Sequence, residues 1–402
     1  MPPSEVESAV VHPLTRLVHA GRDPSRQGGA VNMPVYRAST ICFPDMASLE
    51  HARANPDSEI SYGIYGTPTV RAFQDAMAEL EGGHRALALP SGLAAISAAV
   101  LSFARAGDHL LMVDTVYGPT RRFCDAIEAR LGIGVTYYDP RDPDPGRLLQ
   151  ANTRLIYAES PGSQTFEIQD IPALAGIAHR AGIPLLLDNS WGTPLHFPAF
   201  AHGVDVSIHA ATKYISGHSD VMMGLVVCNA ASWTAVREQV VTHGLCVSPD
   251  DCYLALRGLR TLAPRLERQV ANALQVARWL QEQAAVRQVL YPVLPESPDH
   301  ALWKRDFRGG ASLFAIELDT RSEAAVRALV EGTKVFALGA SWGGYESLIF
   351  PAYPGPERRV APWKGGQLVR LHIGLEDPRD LIADLAAGLA RAAAHPEFGG
   401  TF

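Results

Sequence analysis

Lys213 stands in the segment HAATKYISGHSD, just past an apolar run and among small and apolar neighbours. An ammonium group there is costly unless a partner or a covalent bond relieves it. A desolvated lysine also has the lowered pKa that imine formation needs, so Lys213 reads as a Schiff-base lysine. Upstream, Asp188-Asn189 closes the apolar run PLLL. A buried acid calls for a cation, which a protonated ring nitrogen would supply, and an N-cap role is the alternative. Tyr117, in DTVYGPT, is placed either to stack on a flat ring or to sit half-buried at a domain edge. Ser91-Gly92-Leu93 follows the run ALALP and opens a helix, offering backbone N–H groups and a positive dipole end to a phosphate. The glycine there has an equally plain steric reading as a strand-to-helix turn. Thr212 adds a hydroxyl beside the lysine. Arg370, in VRLHIGLED, has the planar fork that holds a carboxylate, or else serves a structural ion pair. His209 and His218 flank the lysine nine residues apart, fit no ligand spacing and read as satisfied polar groups, so no metal site is expected.

An imine-forming lysine, an acid for a pyridinium nitrogen, a stacking ring, a phosphate cradle and an arginine for an α-carboxylate together describe a site for pyridoxal 5'-phosphate (PLP) and an amino-acid substrate. In an open α/β sheet, ligands lie beyond the carboxyl ends of the strands. The elements that must position these residues are therefore the short apolar runs just before them: ALALP (86–90), HLLMVD (109–114), GVTYYD (134–139), RLIYAES (154–160), PLLLDN (184–189), VDVSIHA (204–210) and MGLVVCN (223–229). Runs of this length with helix-like stretches between them predict a mostly parallel, seven-stranded sheet buried on both faces, a doubly wound α/β domain. TVRAFQDAMAELEGG predicts an amphipathic helix stopped at Gly82-Gly83. Near residue 250 the pattern changes to long helices, DDCYLALRGLRTL and LERQVANALQVARWLQEQ, followed by strand-like ASLFAIEL and LVRLHIG. The expected organisation is an extended N-terminal arm over 1–60 that contacts a partner subunit, a large domain over 61–257, and a smaller α+β domain over 258–402.

Composition excludes several function classes. The 402 residues are 47% hydrophobic and 19% charged, with a formal net charge of −7. No basic field exists to draw nucleic acid or anionic membrane. No run reaches the roughly 18 apolar residues of a membrane span, and the N-terminus has acidic residues where a signal peptide needs basic ones, so a cytoplasmic protein is expected. Five cysteines without CxxC spacing (Cys42, Cys124, Cys228, Cys246, Cys252) indicate reduced, mostly buried thiols. No GxGxxG follows the first strand, against a nicotinamide dehydrogenase.

On YGIYGTPT, SGLAAI, DTVYGPT, DNSWGTP and AATKYISGHSD the chain resembles the Cys/Met-metabolism enzymes of PLP fold type I, from about residue 15 to 395. Within that family it is similar to the cystathionine β-lyase branch. ESPGSQTFEIQD (159–170) differs from the SPxNP of γ-synthases and γ-lyases, ASWGGYESL carries Trp342 where those relatives have leucine, and Pro119 stands where methionine γ-lyases have cysteine. The resemblance implies that Lys213 and Tyr117 are catalytic. It also implies that Ser91, Gly92, Leu93, Thr212 and Asp188 bind the cofactor, that Tyr62 reaches cofactor phosphate and substrate across a subunit interface, and that Arg370, Ser341 and Trp342 bind substrate. It implies PLP as cofactor, β-elimination from L-cystathionine in methionine biosynthesis, and a homotetramer of dimers with shared sites. Broader cysteine-conjugate β-lyase, cysteine desulfhydrase and γ-lyase chemistries share the same cofactor residues, and a PLP-fold regulator is the rival of another class. Ile64 departs from the family, which has a phosphate-reaching arginine there, and Tyr65 and Ala340 differ from some relatives near the distal end of the substrate.

Overall fold

The apolar runs form one sheet in the computed structural model, which describes residues 12–354 and 358–398. Its strands are β1 Arg85–Leu89, β2 His109–Val113, β3 Gly134–Tyr138, β4 Thr153–Glu159, β5 Leu185–Asp188, β6 Val206–His209 and β7 Gly224–Cys228. Their order is β1-β7-β6-β5-β4-β2-β3. The pairs from β3 to β6 are parallel, and β7 runs antiparallel to both β6 and β1. Strands such as β2 and β7 are buried along their whole length, as expected of a sheet covered by helices on both faces.

The helix Pro68–Glu81 buries Val70, Phe73 and Met77 and ends at Gly82, whose φ of 74° is the left-handed conformation of a glycine C-cap. The helix Gly92–Leu101 packs so closely that a Cβ on Gly92 would lie 2.9 Å from the Cβ of Ala210. The segment preceding residue 61, read from sequence as extended, holds two α-helices among its described residues, Pro13–His19 and Met46–Ala54. It is tied to the rest of the chain by Arg260, which donates to the carbonyls of Leu17 (2.8 Å) and Ala20 (2.7 Å), and by a bidentate pair between Arg37 and Asp250. Residues 1–11 of the expected arm lie outside the described residues.

A second sheet contains β8 Val286–Leu290, β9 Leu313–Leu318, β10 Ala337–Leu338, β11 Leu348–Ala352 and β12 Leu368–His372, in the order β10-β11-β12-β9-β8. It packs with the helices Leu262–Gln281 and Pro378–Ala393. The sequence pattern marks β9 and β12 alone. β8 is partly exposed, β10 is two residues long, and β11 carries Pro351, each of which blurs a strand signal. Among the described residues no helix is long and apolar enough to cross a membrane. All five cysteines are free thiols, with Cys124, Cys228 and Cys252 buried and Cys42 and Cys246 exposed.

Candidate active site

The carboxyl ends of β1, β2, β4, β5 and β6 converge on a cavity of about 610 Å3, closed from the other side by residues of the second sheet. Lys213 enters it from the turn after β6. Its Nζ donates to Ser341 Oγ at 2.7 Å and lies 5.2 Å from the centre of the Trp342 ring. Burial, with Arg370 adding a like charge and Asp188 opposing, pulls the amine down to about 8. A neutral amine is the form that attacks a carbonyl, and the site makes that form accessible at a pH where an exposed lysine stays protonated.

Asp188 ends β5 and lines the same cavity. Its Oδ1 accepts the N–H of Ser190 at 3.0 Å. The next helix begins at Thr193 with Gly192 at its N-cap, so Asp188 caps no helix. Burial pushes its carboxyl up, offset by the Ser190 hydrogen bonds and the nearby His209 and Lys213. No ion pair is formed by Asp188 among the described residues, and a protonated ring nitrogen would complete it.

Tyr117 stands at the start of the helix Gly118–Leu131, is 46% exposed and lines the cavity. Its N–H donates to Glu159 Oε2 at 2.7 Å. Burial, followed by Glu159, pushes its phenol up, with Arg122 and Arg370 acting the other way.

Ser91 is the N-cap of the helix Gly92–Leu101, its hydroxyl accepting from Ala94 N at 3.1 Å. The first-turn N–H groups of Gly92 and Leu93 have no carbonyl four residues back in the helix, and both residues line the cavity, which leaves donors there of the kind an anion takes. Thr212 also lines it, but its hydroxyl donates to Met223 O (3.2 Å) and accepts from Met223 N (2.8 Å), so it has only acceptor capacity left for a ligand.

Arg370 lies on β12, where its guanidinium donates to the carbonyls of Ala340 (2.8 Å) and Ser341 (3.2 Å). Burial lowers it to about 10, which leaves it charged near neutrality with its fork already oriented. Tyr62 is 49% exposed and is not among the cavity's lining residues within one chain. Ile64 borders a separate pocket beside Arg71, Arg85 and Trp233.

Three features escaped the sequence reading. Glu159, the last residue of β4, pairs in register with Asp188, and burial and that neighbour push its carboxyl well up. Its place in RLIYAES matches that of Asp188 in PLLLDN, which was the signal available. The second is a clasp. Buried Asp114 accepts the N–H groups of Arg359 (3.1 Å), Val360 (2.7 Å) and Ala361 (2.8 Å) and pairs with Arg121 at 2.6 Å, latching the segment before β12 onto the end of β2. Arg358 extends it, donating to Ser163 O at 2.8 Å and Thr165 Oγ1 at 2.6 Å on the turn 162–167, where Gln164 and Phe166 have positive φ. The third is His372, fully buried beneath the turn that carries Ser341. His209 departs from the expected satisfied polar group: its Nε2 meets buried Glu81, but its buried Nδ1 has no partner among the described residues, whereas His218 Nδ1 meets Ser216 O at 2.7 Å.

The chain matches the Cys/Met metabolism PLP-dependent enzyme family over residues 14–390. The cystathionine β-lyase of Escherichia coli K12 is 42% identical over 387 residues, covering 94% of this chain and 98% of that one. The L-alanine/L-glutamate racemase of Wolbachia pipientis wMel is 43% identical over 393 residues, covering 93% and 96%. A crystal structure of cystathionine γ-synthase from Xanthomonas oryzae pv. oryzae superposes with a TM-score of 0.88 at 34% identity, covering 96% of this chain and 99% of that one. The chain therefore belongs to the Cys/Met metabolism PLP-dependent enzymes, with their fold type I architecture and PLP as cofactor.

Proposed function

We propose that this family member is a carbon–sulfur lyase that cleaves the Cβ–S bond of L-cystathionine, yielding homocysteine, pyruvate and ammonia. The observation that carries the reading is the convergence of Lys213, Asp188, Tyr117 and Arg370 on one cavity. The similarity to a cystathionine β-lyase over 94% of the chain narrows the substrate.

Lys213 would hold the cofactor, Asp188 would face its ring nitrogen, Tyr117 would stack on the ring, and Ser91, Gly92 and Leu93 would surround the phosphate, with Thr212 turning its hydroxyl proton from the Met223 carbonyl toward it. Bound PLP supplies an electron sink for bonds at the substrate Cα. Arg370, its fork held by the Ala340 and Ser341 carbonyls, binds the α-carboxylate and turns the Cα–H bond toward Lys213. Lys213 Nζ takes the Cα proton, and Ser341 Oγ keeps that nitrogen in place. The sulfur leaves as the thiol with a proton from Lys213 or Tyr117, and water converts the remaining three-carbon fragment to pyruvate and ammonia. Trp342 lines the cavity with its ring centre 5.2 Å from the lysine nitrogen and would contact the substrate there. Tyr62, exposed and outside its own chain's cavity, would act at the site of a neighbouring subunit in a homotetramer located in the cytoplasm.

A second reading, amino-acid racemisation, is favoured by two proton-carrying groups, Lys213 and Tyr117, on one cavity and by the similarity to a racemase. The deciding experiment is a product assay with L-cystathionine and L-alanine alongside an absorbance scan from about 300 to 500 nm, the region in which lysine-linked PLP absorbs. The proposal expects pyruvate and homocysteine in equal amounts and a visible PLP band that Lys213→Ala removes. Formation of 2-oxobutyrate would assign γ-chemistry, and D-alanine without pyruvate would assign racemisation.

A further inference from the structure

Arg370 and His372 are two apart on β12, so their side chains leave the same face of the strand. Arg370 reaches the cavity, whereas His372 is 1% exposed and sits under the turn 340–344. Its Nε2 lies 3.1 Å from the N–H of Gly343 and 3.1 Å from the carbonyl of Gly344. Its Nδ1 lies 3.2 Å from Ser312 Oγ, which in turn lies 3.2 Å from the phenol of Tyr214, the residue after Lys213.

The tautomer follows from accounting for donors. The Gly344 carbonyl already accepts from Gln269 Nε2 at 2.6 Å, whereas no other acceptor for the Gly343 N–H is found among the described residues. An orphaned buried backbone N–H is costly, so Nε2 is the bare acceptor and Nδ1 carries the proton toward Ser312. Burial pushes the imidazolium down to about 4, with Arg370 and Lys213 acting in the same direction and the Gly344 carbonyl opposing, so the ring is neutral near pH 7.

The turn it holds packs directly against the site. Gly343 has φ +86°, and a Cβ there would come within 2.8 Å of the Lys213 carbonyl carbon and 2.9 Å of its Cα, so the turn rests directly on the lysine's backbone. The same turn supplies Ser341 Oγ to Lys213 Nζ, and the carbonyls of Ala340 and Ser341 to Arg370.

We propose that His372 is a positioning residue: by accepting the Gly343 N–H it fixes the 340–344 turn, and through that turn it sets the orientation of Arg370 toward a substrate carboxylate and of Lys213 toward Cα. The inference rests on the reading of Arg370 as the carboxylate's partner. It extends that reading to a buried histidine that touches neither substrate nor cofactor.

The test compares His372→Leu, which removes the acceptor, with His372→Gln, whose Oε1 can take the place of Nε2. Amide hydrogen exchange of the 340–346 segment is measured on protein freed of cofactor, and the affinity of the holoenzyme for propionate, a carboxylate that does not react, is measured by calorimetry. Thermal melting accompanies both. For the leucine variant the expected results are a local loss of protection of about tenfold or more, the cost of one unmade buried hydrogen bond, and a similar weakening of propionate binding. KM for the amino-acid substrate should rise more than kcat falls, and glutamine should recover most of each. Unchanged protection and propionate affinity in His372→Leu, or changes that track a uniform loss of protection across β9 and β12, would overturn the proposal. Neither exchange nor propionate binding depends on which sulfur substrate the enzyme turns over, so a failure of the lyase reading is seen separately in the products.

Discussion

Glu159 and Asp188 stand side by side at the carboxyl ends of the neighbouring parallel strands β4 and β5, paired in register, and Glu159 also accepts the N–H of Tyr117 at 2.7 Å. Two carboxyls this placed do not both ionise readily in a desolvated site. With a cationic ring nitrogen opposite Asp188, Glu159 is the member of the pair that keeps its proton. It would then act as a neutral acceptor that holds the Tyr117 backbone, and with it the ring proposed to stack on the cofactor.

Glu159→Gln should therefore be mild, since the amide oxygen still accepts the Tyr117 N–H, whereas Glu159→Ala should lower affinity for PLP by about tenfold, the value of one hydrogen bond at roughly 1.4 kcal/mol. Fluorescence titration of the cofactor-free variants checks this. Equal affinity for all three proteins would remove Glu159 from the site's construction.

As the proposed cofactor lysine, Lys213 would capture a carbonyl only as the free amine. Its pKa of about 8 predicts that the rate at which cofactor-free protein takes up PLP rises with pH through about 8 and then levels. A surface lysine would give a rise continuing toward its usual value near 10.4. Stopped-flow absorbance over pH 6–10 on the order of one point per half unit separates the two curves, and Lys213→Arg should show no capture at any pH.

Replacing Arg370 by lysine keeps the charge and loses the fork that bonds both the turn carbonyls and a carboxylate. Steady-state kinetics should show KM raised by tens of fold, roughly 2 kcal/mol, with a smaller fall in kcat. A change confined to kcat would place Arg370 at the leaving group instead.

The clasp between Asp114 and residues 359–361 gives a stability prediction. Asp114 is 1% exposed and paired with buried Arg121, so Asp114→Asn leaves a cation uncompensated and should cost about 3 kcal/mol in urea unfolding. Three backbone N–H groups and Arg121 outweigh burial and hold its carboxyl below the usual carboxylate range. Its contribution is therefore present above about pH 4 and lost as pH falls through the lowered value. The asparagine variant should lack that acid limb.

If Tyr62 works across a subunit interface, Lys213→Ala mixed with Tyr62→Phe and allowed to exchange subunits should regain activity that neither shows alone. The assay is pyruvate release before and after mixing, and no recovery in a mixture shown to contain hybrid oligomers would return Tyr62 to its own chain.

The large domain's seven strands were legible because each is a short apolar run that the local pattern marks, and because chemistry sits just beyond strand ends. Lys213, Asp188, Tyr117, Ser91 and Arg370 could thus be picked out one at a time. Their types and local settings were enough to name the cofactor chemistry. The sequence does not contain the strand order β1-β7-β6-β5-β4-β2-β3, which makes the ends of β4 and β5 neighbours and so couples Glu159 to Asp188. Nor does it contain the meeting of Lys213 with Ser341 across 128 residues, the resting of Gly343 on the lysine backbone, or the burial of His372 beneath that turn. Apolar periodicity is a property of a few adjacent residues. Which carboxyl keeps a proton, which amine is neutral and which turn is fixed depend on desolvation and on contacts between distant segments, and the packed chain alone creates these.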